Sequence, residues 1–458
     1  MDAIRRQHGR APERVGRHVR HGRRTRTIRG QDFGDQMTAE TSSANPTQPA
    51  GEPELIDLEE PAGGIPPVLT TESQLRRAVD AFAAARGPVA VDAERASGYR
   101  YGQHNFLVQL RREGAGTVLI DPIELPDLSA FNDAIGDDEW VFHAASQDLH
   151  PLREQGLEPR RIFDTELAAR LLGMARVGLG AVVADILGLR LAKEHSAADW
   201  SKRPLPESWL RYATLDVEVL VELRDRLTER LADAGKLEWA HQEFAAVLAA
   251  PPPSPRVDPW RRTSHITDLR TRRALAIARE LWQERDDVAQ RRDVSPGRVL
   301  PDRAIIKAAQ VLPRSVPDLL ALREFAGRSV QNRATQWLAA IQRALALRED
   351  ELPSMRGPAS DGPPAPRSWA ERAPRAAARL EAARPAVIAR AEELNLPVEN
   401  LLQPDTLRRL CWDESIGGDR VAEFLAGRGA RPWQIEQAGP IIAQKVDEAD
   451  HASDERAI

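Results

Sequence analysis

Asp92 and Glu94 stand two residues apart inside Val89-Ala-Val-Asp-Ala-Glu94, a short, β-branched, apolar run preceded by Gly87-Pro88. Such a run reads as a buried strand, and alternation along it puts both carboxylates on one face. An ionised carboxylate inside an apolar strand is costly unless it is paired or metal-bound, which sets Asp92 apart from the many solvated acids of the chain. Asp148 follows a second apolar run, Trp140-Val-Phe-His-Ala144, at a point where Ser146-Gln-Asp-Leu149 reads as a helix start. Tyr212 and Asp216 lie in Leu210-Arg-Tyr-Ala-Thr-Leu-Asp-Val-Glu-Val-Leu220, whose apolar spacing is helical, and at i and i+4 they share a face. Four acids and a phenol in this order suit hydrolysis of a phosphodiester by two divalent cations. Cations about 3.5–4 Å apart can activate a water and stabilise the leaving oxygen, and hard cations need several carboxylate oxygens. Two cofactor ions, Mg²⁺ or Mn²⁺, are therefore expected on Asp92, Glu94, Asp148 and Asp216, with Tyr212 orienting the attacking water.

The elements that must position these residues alternate between strand and helix from about 68 to 248. A helix is predicted from Thr70 to Ala85, strands at 88–94, 105–111 and 117–121, a helix at 127–135, a strand at 140–143 and mostly helix over 147–248. The Pro251-Pro-Pro-Ser-Pro255 tract ends that region, because consecutive prolines cannot continue a helix. The remainder of the chain is all-helical and duplicated: Val294-Ser-Pro-Gly-Arg-Val-Leu-Pro-Asp302 echoes Leu396-Pro-Val-Glu-Asn-Leu-Leu-Gln-Pro-Asp405, each after an Ala/Arg/Glu-rich helix. The expected division is an unstructured arm at 1–67, a catalytic domain at 68–250, a helical module at 261–348, a flexible linker at 349–368, a second module at 369–447 and an acidic tail at 448–458.

On these residues the chain resembles the DEDDy exonucleases, and within them ribonuclease D. The Asp-x-Glu strand motif matches Val91-Asp-Ala-Glu-Arg-Ala-Ser-Gly-Tyr-Arg-Tyr101, the second aspartate motif Phe142-His-Ala-Ala-Ser-Gln-Asp-Leu149, and Tyr-x-x-x-Asp matches Tyr212-Ala-Thr-Leu-Asp216. Phe163-Asp-Thr-Glu-Leu-Ala-Ala169 and Asp199-Trp-Ser-Lys-Arg-Pro-Leu205 also resemble family segments. The resemblance implies a ribonuclease H-like mixed sheet with flanking helices, followed by one HRDC domain and a diverged second one. It implies a 3′→5′ exoribonuclease releasing nucleoside 5′-monophosphates, with RNA 3′ ends, transfer-RNA precursors among them, as partner. Residue by residue, Asp92, Glu94 and Asp216 would hold the ion that activates water, Asp92 and Asp148 the second, and Tyr212 the water itself. Where the family commonly has Thr between the first two acids this chain has Ala93, on the opposite strand face. Trp200, Arg203 and His143 are candidates for the substrate channel, with packing the alternative for Trp200 and a structural hydrogen bond for His143. Lys193 and His195 carry no assignment.

Charge separates the halves of the chain. Residues 68–250 hold 21 Lys/Arg against 29 Asp/Glu, whereas 256–350 hold 19 against 12. Acids concentrate where cations would neutralise them, and the neighbouring helical module offers arginines to phosphates. Residues 1–30 hold ten arginines against Asp2 and Glu13, which suits an RNA-binding arm or an extension upstream of a true start at Met37. A single cysteine, Cys411, rules out a disulfide framework and fits the cytoplasm, and no run of 18 apolar residues offers a membrane span. Two other classes stay open at this level: a DNA 3′→5′ exonuclease with the same metal pattern, and a non-catalytic RNA-binding protein. A chain ended near residue 250 is expected to keep hydrolysis of short strands, and residues after 350 to contribute less to binding.

Overall fold

The computed structural model describes residues 55–192, 195, 197–252, 254–357 and 361–457. Lys193 and the basic stretch 1–30 lie outside the described residues. Among the described residues, eight strands fall at Ile56–Leu58 (β1), Val68–Leu69 (β2), Val89–Arg95 (β3), Asn105–Arg112 (β4), Gly116–Ile120 (β5), Trp140–Phe142 (β6), Ile162–Asp164 (β7) and Leu189–Leu191 (β8). Six of them form one mixed sheet in the order β2-β5-β4-β3-β6-β7, antiparallel across β5-β4-β3 and parallel at both ends. The apolar β3 thereby becomes an interior strand, covered on both faces.

Helices Glu72–Ala84 (α1), Ala130–Ile135 (α2), Leu149–Glu154 (α3), Thr165–Leu171 (α4), Leu179–Leu187 (α5), Glu207–Glu218 (α6), Leu220–Asp233 (α7) and Leu237–Ala249 (α8) surround the sheet. Helix α1 starts at a capping box in which Thr71 and Gln74 satisfy each other's backbone. Its Phe82 meets Phe131 of α2 edge-on at 5.2 Å. On the other face α6 packs against β3 and β4 over Leu107, Leu119, Trp200 and Ala213.

The expected mixed sheet with flanking helices is observed, with differences at its edges. Residues 147–248 hold two strands beside the helices: β7 extends the sheet beyond β6, and β8 pairs with β1. At three residues each they are too short to break a helical reading of the pattern. Strand β1 also falls inside the stretch read as an unstructured arm, and Glu60 and the Ala62 N–H bind Arg211 and Glu218 of α6.

The two echoed segments fold alike. In each, a long helix ends at a residue with positive φ, Asp293 or Asn395, and a one-turn helix comes next, Pro296–Val299 or Val398–Leu401. An extended leucine, Leu300 or Leu402, then leads into the next helix. Asp and Asn tolerate that left-handed conformation better than most residues, so similar turn chemistry yields the same turn twice. The first module is built on helix Arg272–Arg292 (α9) and has its own core around Phe325 and Trp337.

The second module shares its core with the sheet domain instead of hanging on a flexible linker. Trp433 stacks on Trp239 of α8 at 4.8 Å and 13°, and donates Nε1–H to the buried Glu243 at 2.9 Å, which also pairs with Arg431. Lys236 donates to the carbonyls of Leu171 at 2.7 Å and Leu394 at 2.6 Å, tying the two regions together. The expected linker is fastened at both ends, by Arg272 on the Glu349 and Leu352 carbonyls and by Arg409 on Asp361. The expected acidic tail is the end of helix Pro432–Ala457, where Asp450 pairs with Arg375 and the fully buried Arg379. Local composition is misleading in both places because the partners lie far away in sequence.

Removing Trp433 should therefore damage the catalytic half. Trp433→Ala is expected to cost about 3–5 kcal/mol and to lower the unfolding midpoint of the sheet domain and the second module together. Thermal unfolding followed by calorimetry checks this; an unchanged sheet-domain transition would contradict the shared core.

Candidate active site

Strand β3 sets the first two acids. Its register with β4 places Asp92 opposite Gln109 and Glu94 opposite Leu107, so both carboxylates leave the sheet on the side covered by α6. One helical turn of α6 brings Tyr212 and Asp216 over them, and ligand oxygens of Asp92, Glu94 and Asp216 lie within 4.8 Å of one another. Asp148 arrives from the turn after β6. Ala144 adopts a left-handed conformation, a 3₁₀ turn covers Ala145–Gln147, and Asp148 precedes α3.

That turn is held by a residue that sequence reasoning did not select. Asp164, at the end of β7, accepts the N–H groups of Ala144 at 3.0 Å and Ala145 at 2.9 Å, and caps α4 through Glu166 and Leu167. Its place in the segment Phe163-Asp-Thr-Glu, just before a helix, is an N-cap signal that could have singled it out. Arg95 was also missed: it donates to Asp148 Oδ1 at 2.8 Å and to the Gln147 carbonyl at 2.6 Å.

All five expected residues line one open cleft of about 630 Å³. The electrostatics are those of like charges held out of water. Burial raises Asp92 to about 6, against the backbone hydrogen bond and Arg95 that pull it down. Burial and then Asp92 raise Asp148 to about 8, and Glu94 is raised by burial and by Asp92, Asp216 and Asp148 together. The Tyr212 phenol is pushed up by burial and by Asp216, to which it is hydrogen-bonded, so it stays a neutral donor.

This donor set fits hard divalent cations. Three buried or half-buried carboxylates converge with a fourth on the same cleft, their mutual repulsion raises their affinity for protons, and a cation relieves the same repulsion. Oxygen donors without sulfur or imidazole favour Mg²⁺ or Mn²⁺ over zinc.

The substrate candidates behave differently from one another. His143 lines the cleft, with Nδ1 2.9 Å from Thr165 Oγ1, whose hydroxyl is also 3.0 Å from the Phe142 carbonyl. Burial lowers this imidazole to about 4, making it neutral at pH 7. Trp200 is 0% exposed, packed beside Trp209 and Tyr212, and thus supports the phenol from behind instead of meeting substrate. Arg203 grips Asp121 through Nε at 2.5 Å and Nη2 at 2.8 Å, and also the Trp200 and Phe106 carbonyls. Its donors are committed to holding the segment that carries Trp200. His195 packs edge-on against Tyr212 at 5.7 Å.

The first helical module holds the rim of the cleft. Ser97 and Gly98 line it, and the residues after them bind the end of α9: Tyr101 donates its hydroxyl to Asp286 at 3.0 Å and its N–H to Asp293 at 3.2 Å. Arg298 donates to the Gly98 carbonyl at 2.8 Å and lies over the Tyr99 ring at 4.0 Å. A module expected to offer arginines to phosphates outside the pocket also touches the segment that leaves β3, and its removal would free the cleft wall.

The raised carboxyls have a consequence for stability. A carboxyl raised in the folded chain above its usual 3.8 costs stability as pH climbs through the folded value, whereas the lowered His143 costs stability in acid, below about 6.5. Above pH about 6.5 the raised Asp148 and Glu94 act in the same direction, so the unfolding midpoint in chelator should fall as pH rises toward about 8. Excess Mn²⁺ should abolish the fall, because it binds the ionised forms; parallel curves with and without Mn²⁺ would contradict a cation site here.

Comparison with known proteins matches three regions of the chain, and the last carries another description than the diverged HRDC domain expected there. Residues 66–232 match the family described as 3′-5′ exonuclease, 274–341 the HRDC domain, and 362–446 the family described as 3′ to 5′ exonuclease C-terminal domain. Ribonuclease D of Gluconacetobacter diazotrophicus is 32% identical over 378 residues, covering 79% of this chain and 93% of that protein. Ribonuclease D of Acidiphilium cryptum is 31% identical and covers 81% and 96%. Among solved structures, a protein from Bifidobacterium adolescentis superposes with a TM-score of 0.80 at 40% identity, over 86% of this chain and all of that one. The fold is also that of Escherichia coli RNase D, an exoribonuclease involved in structured RNA processing, with a TM-score of 0.59 at 24% identity over 83% and 98%. Relatives of one name aligned over nearly their whole length, with the exonuclease module in the place the acidic residues occupy, put this chain in the ribonuclease D family of 3′→5′ exoribonucleases.

Proposed function

We propose that the protein shortens RNA from its 3′ end in a reaction that depends on two divalent cations and releases nucleoside 5′-monophosphates. The observation that carries the reading is the convergence of Asp92, Glu94 and Asp216 within 4.8 Å, with Asp148 on the same cleft. Asp92, Glu94 and Asp216 would hold one ion, and Asp92 with Asp148 the other. Bound there, the pair supplies an activated water and charge stabilisation of the leaving oxygen. Tyr212 keeps its proton and stands hydrogen-bonded to Asp216, so its hydroxyl is placed to orient the attacking water. Trp200 and His195 fix the direction of the phenol by packing.

The helical half supports an RNA substrate longer than the cleft. Arg291, Arg292, Arg303, Lys307, Arg314 and Arg323 are exposed and their side chains form no ion pair among the described residues, so they are free to meet phosphates. Transfer-RNA precursors, whose 3′ ends follow a compact fold, are the substrates we propose for this arrangement, in the cytoplasm. Among the described residues no helix is long and apolar enough to cross a membrane.

Asp92→Asn, Glu94→Gln, Asp148→Asn and Asp216→Asn should each lower hydrolysis by orders of magnitude with RNA affinity largely kept, since an amide is a weaker ligand for a hard cation. Tyr212→Phe should lose about 10²–10⁴-fold in kcat with little change in stability. Single-turnover assays on a 3′-hydroxyl RNA with Mn²⁺ check both, and circular RNA should survive. Full activity in any one acid variant removes that residue from the site, and rapid cutting of the circle would overturn an exonuclease.

A further inference from the structure

Arg95 occupies a position that alternation along β3 would deny it. Neighbours in a strand point to opposite faces, so the residue after Glu94 should turn away from the carboxylates. The pairing of β3 with β4 is irregular between Glu94 and Arg95, and irregularities of this kind re-aim the side chain at the bulge. The guanidinium accordingly reaches Asp148 Oδ1 at 2.8 Å and the Gln147 carbonyl at 2.6 Å, with 19% of its side chain still open to the cleft.

Asp148 is thereby set apart from the other three acids. Asp92, Glu94 and Asp216 converge on one another, while Asp148 is met by a fixed cation of the chain itself. A guanidinium and a divalent ion on the same carboxylate repel each other, strongly so where water is scarce. We propose that Arg95 is a positioning residue that occupies the cation side of Asp148, weakens binding of the second divalent ion, and passes to an RNA phosphate when that ion arrives. Arginine suits both partners, because its planar fork matches carboxylate and phosphate alike and its charge is permanent. In a cleft that admits a polyanion, phosphate oxygens are the next acceptors within its reach. The inference rests on the two-cation reading above and adds an order to it: the Asp92–Glu94–Asp216 side fills first, and RNA favours filling of the Asp148 side.

The test is calorimetric titration of Mn²⁺ into the metal-free full chain and into Arg95→Gln and Arg95→Lys, with unfolding in chelator to confirm folding. The original chain should show a tighter and a weaker ion; Arg95→Gln should tighten the weaker one about tenfold or more, a difference of about 1.4 kcal/mol, and change the tighter one less, since Arg95 contacts Asp148 directly and reaches Asp92 and Glu94 only through space. At saturating Mn²⁺ the same variant should raise KM for a short RNA several-fold with a smaller effect on kcat. Should Arg95→Gln fail to fold, Arg95→Lys decides, its weaker hold on Asp148 and the Gln147 carbonyl giving a smaller tightening of the weaker ion. Folded variants with an unchanged weaker ion, or with an unchanged KM, would overturn the inference alone. A chain that binds no Mn²⁺ in any form would overturn the two-cation reading and the inference with it.

Discussion

Repulsion among carboxylates in one cleft is the constraint around which the rest of the protein is arranged. Glu94 is raised by three other acids at once, and Asp148 is raised in spite of an arginine in contact with it. No arrangement of apolar packing removes that cost; it can only hold the groups in place until a cation offsets it. Each acid is accordingly anchored by something rigid: an interior strand for Asp92 and Glu94, the face of a helix for Asp216, and for Asp148 a strained turn whose N–H groups are held by Asp164. The neutral groups around them, Tyr212 and His143, stay neutral for the same reason, since burial disfavours their charged forms.

The helical modules share in holding that geometry. The first grips the segment that runs from β3 to β4 through Tyr99, Tyr101 and Arg298, and the second completes the core under α8 through Trp433 and Glu243. On the proposed reading, RNA drawn to arginines on the first module would meet a surface that is continuous, through Arg298, with the rim of the cleft. The helical modules are thus joined to the catalytic half by specific contacts at the cleft rim and under α8.

The site was largely legible in the sequence because its residues announce themselves locally. Asp92 and Glu94 sit in a run too apolar for acids, Tyr212 and Asp216 share a helix face, and the catalytic roles then came from a family resemblance in five ordered segments. Contacts that join distant segments were not legible. Arg203 looked like a free cation beside a motif, yet its partner Asp121 lies 82 positions away. The linker looked flexible by composition and the last residues a plain acidic tail, yet their carbonyls and acids meet Arg272, Arg409 and Arg379 across the fold. Arg95 was hidden for a subtler reason: perfect alternation points it away from the cleft, and only an irregular pairing with β4 turns it in. Strands β7 and β8 are so short that their apolar residues pass for parts of helices.

The central claim is that the raised proton affinity of these acids and their affinity for divalent ions are one property. Proton release on Mn²⁺ binding tests it directly, by calorimetry near neutral pH in two buffers of different ionisation enthalpy. The account expects protons to leave as Mn²⁺ binds, since Asp148 at about 8 and Glu94 above its usual range hold them in the metal-free chain. It expects the release to fall away at a pH well above about 8 and to be reduced in Asp148→Asn, with Glu94 supplying what remains. Tight Mn²⁺ binding with the same heat in both buffers would contradict it.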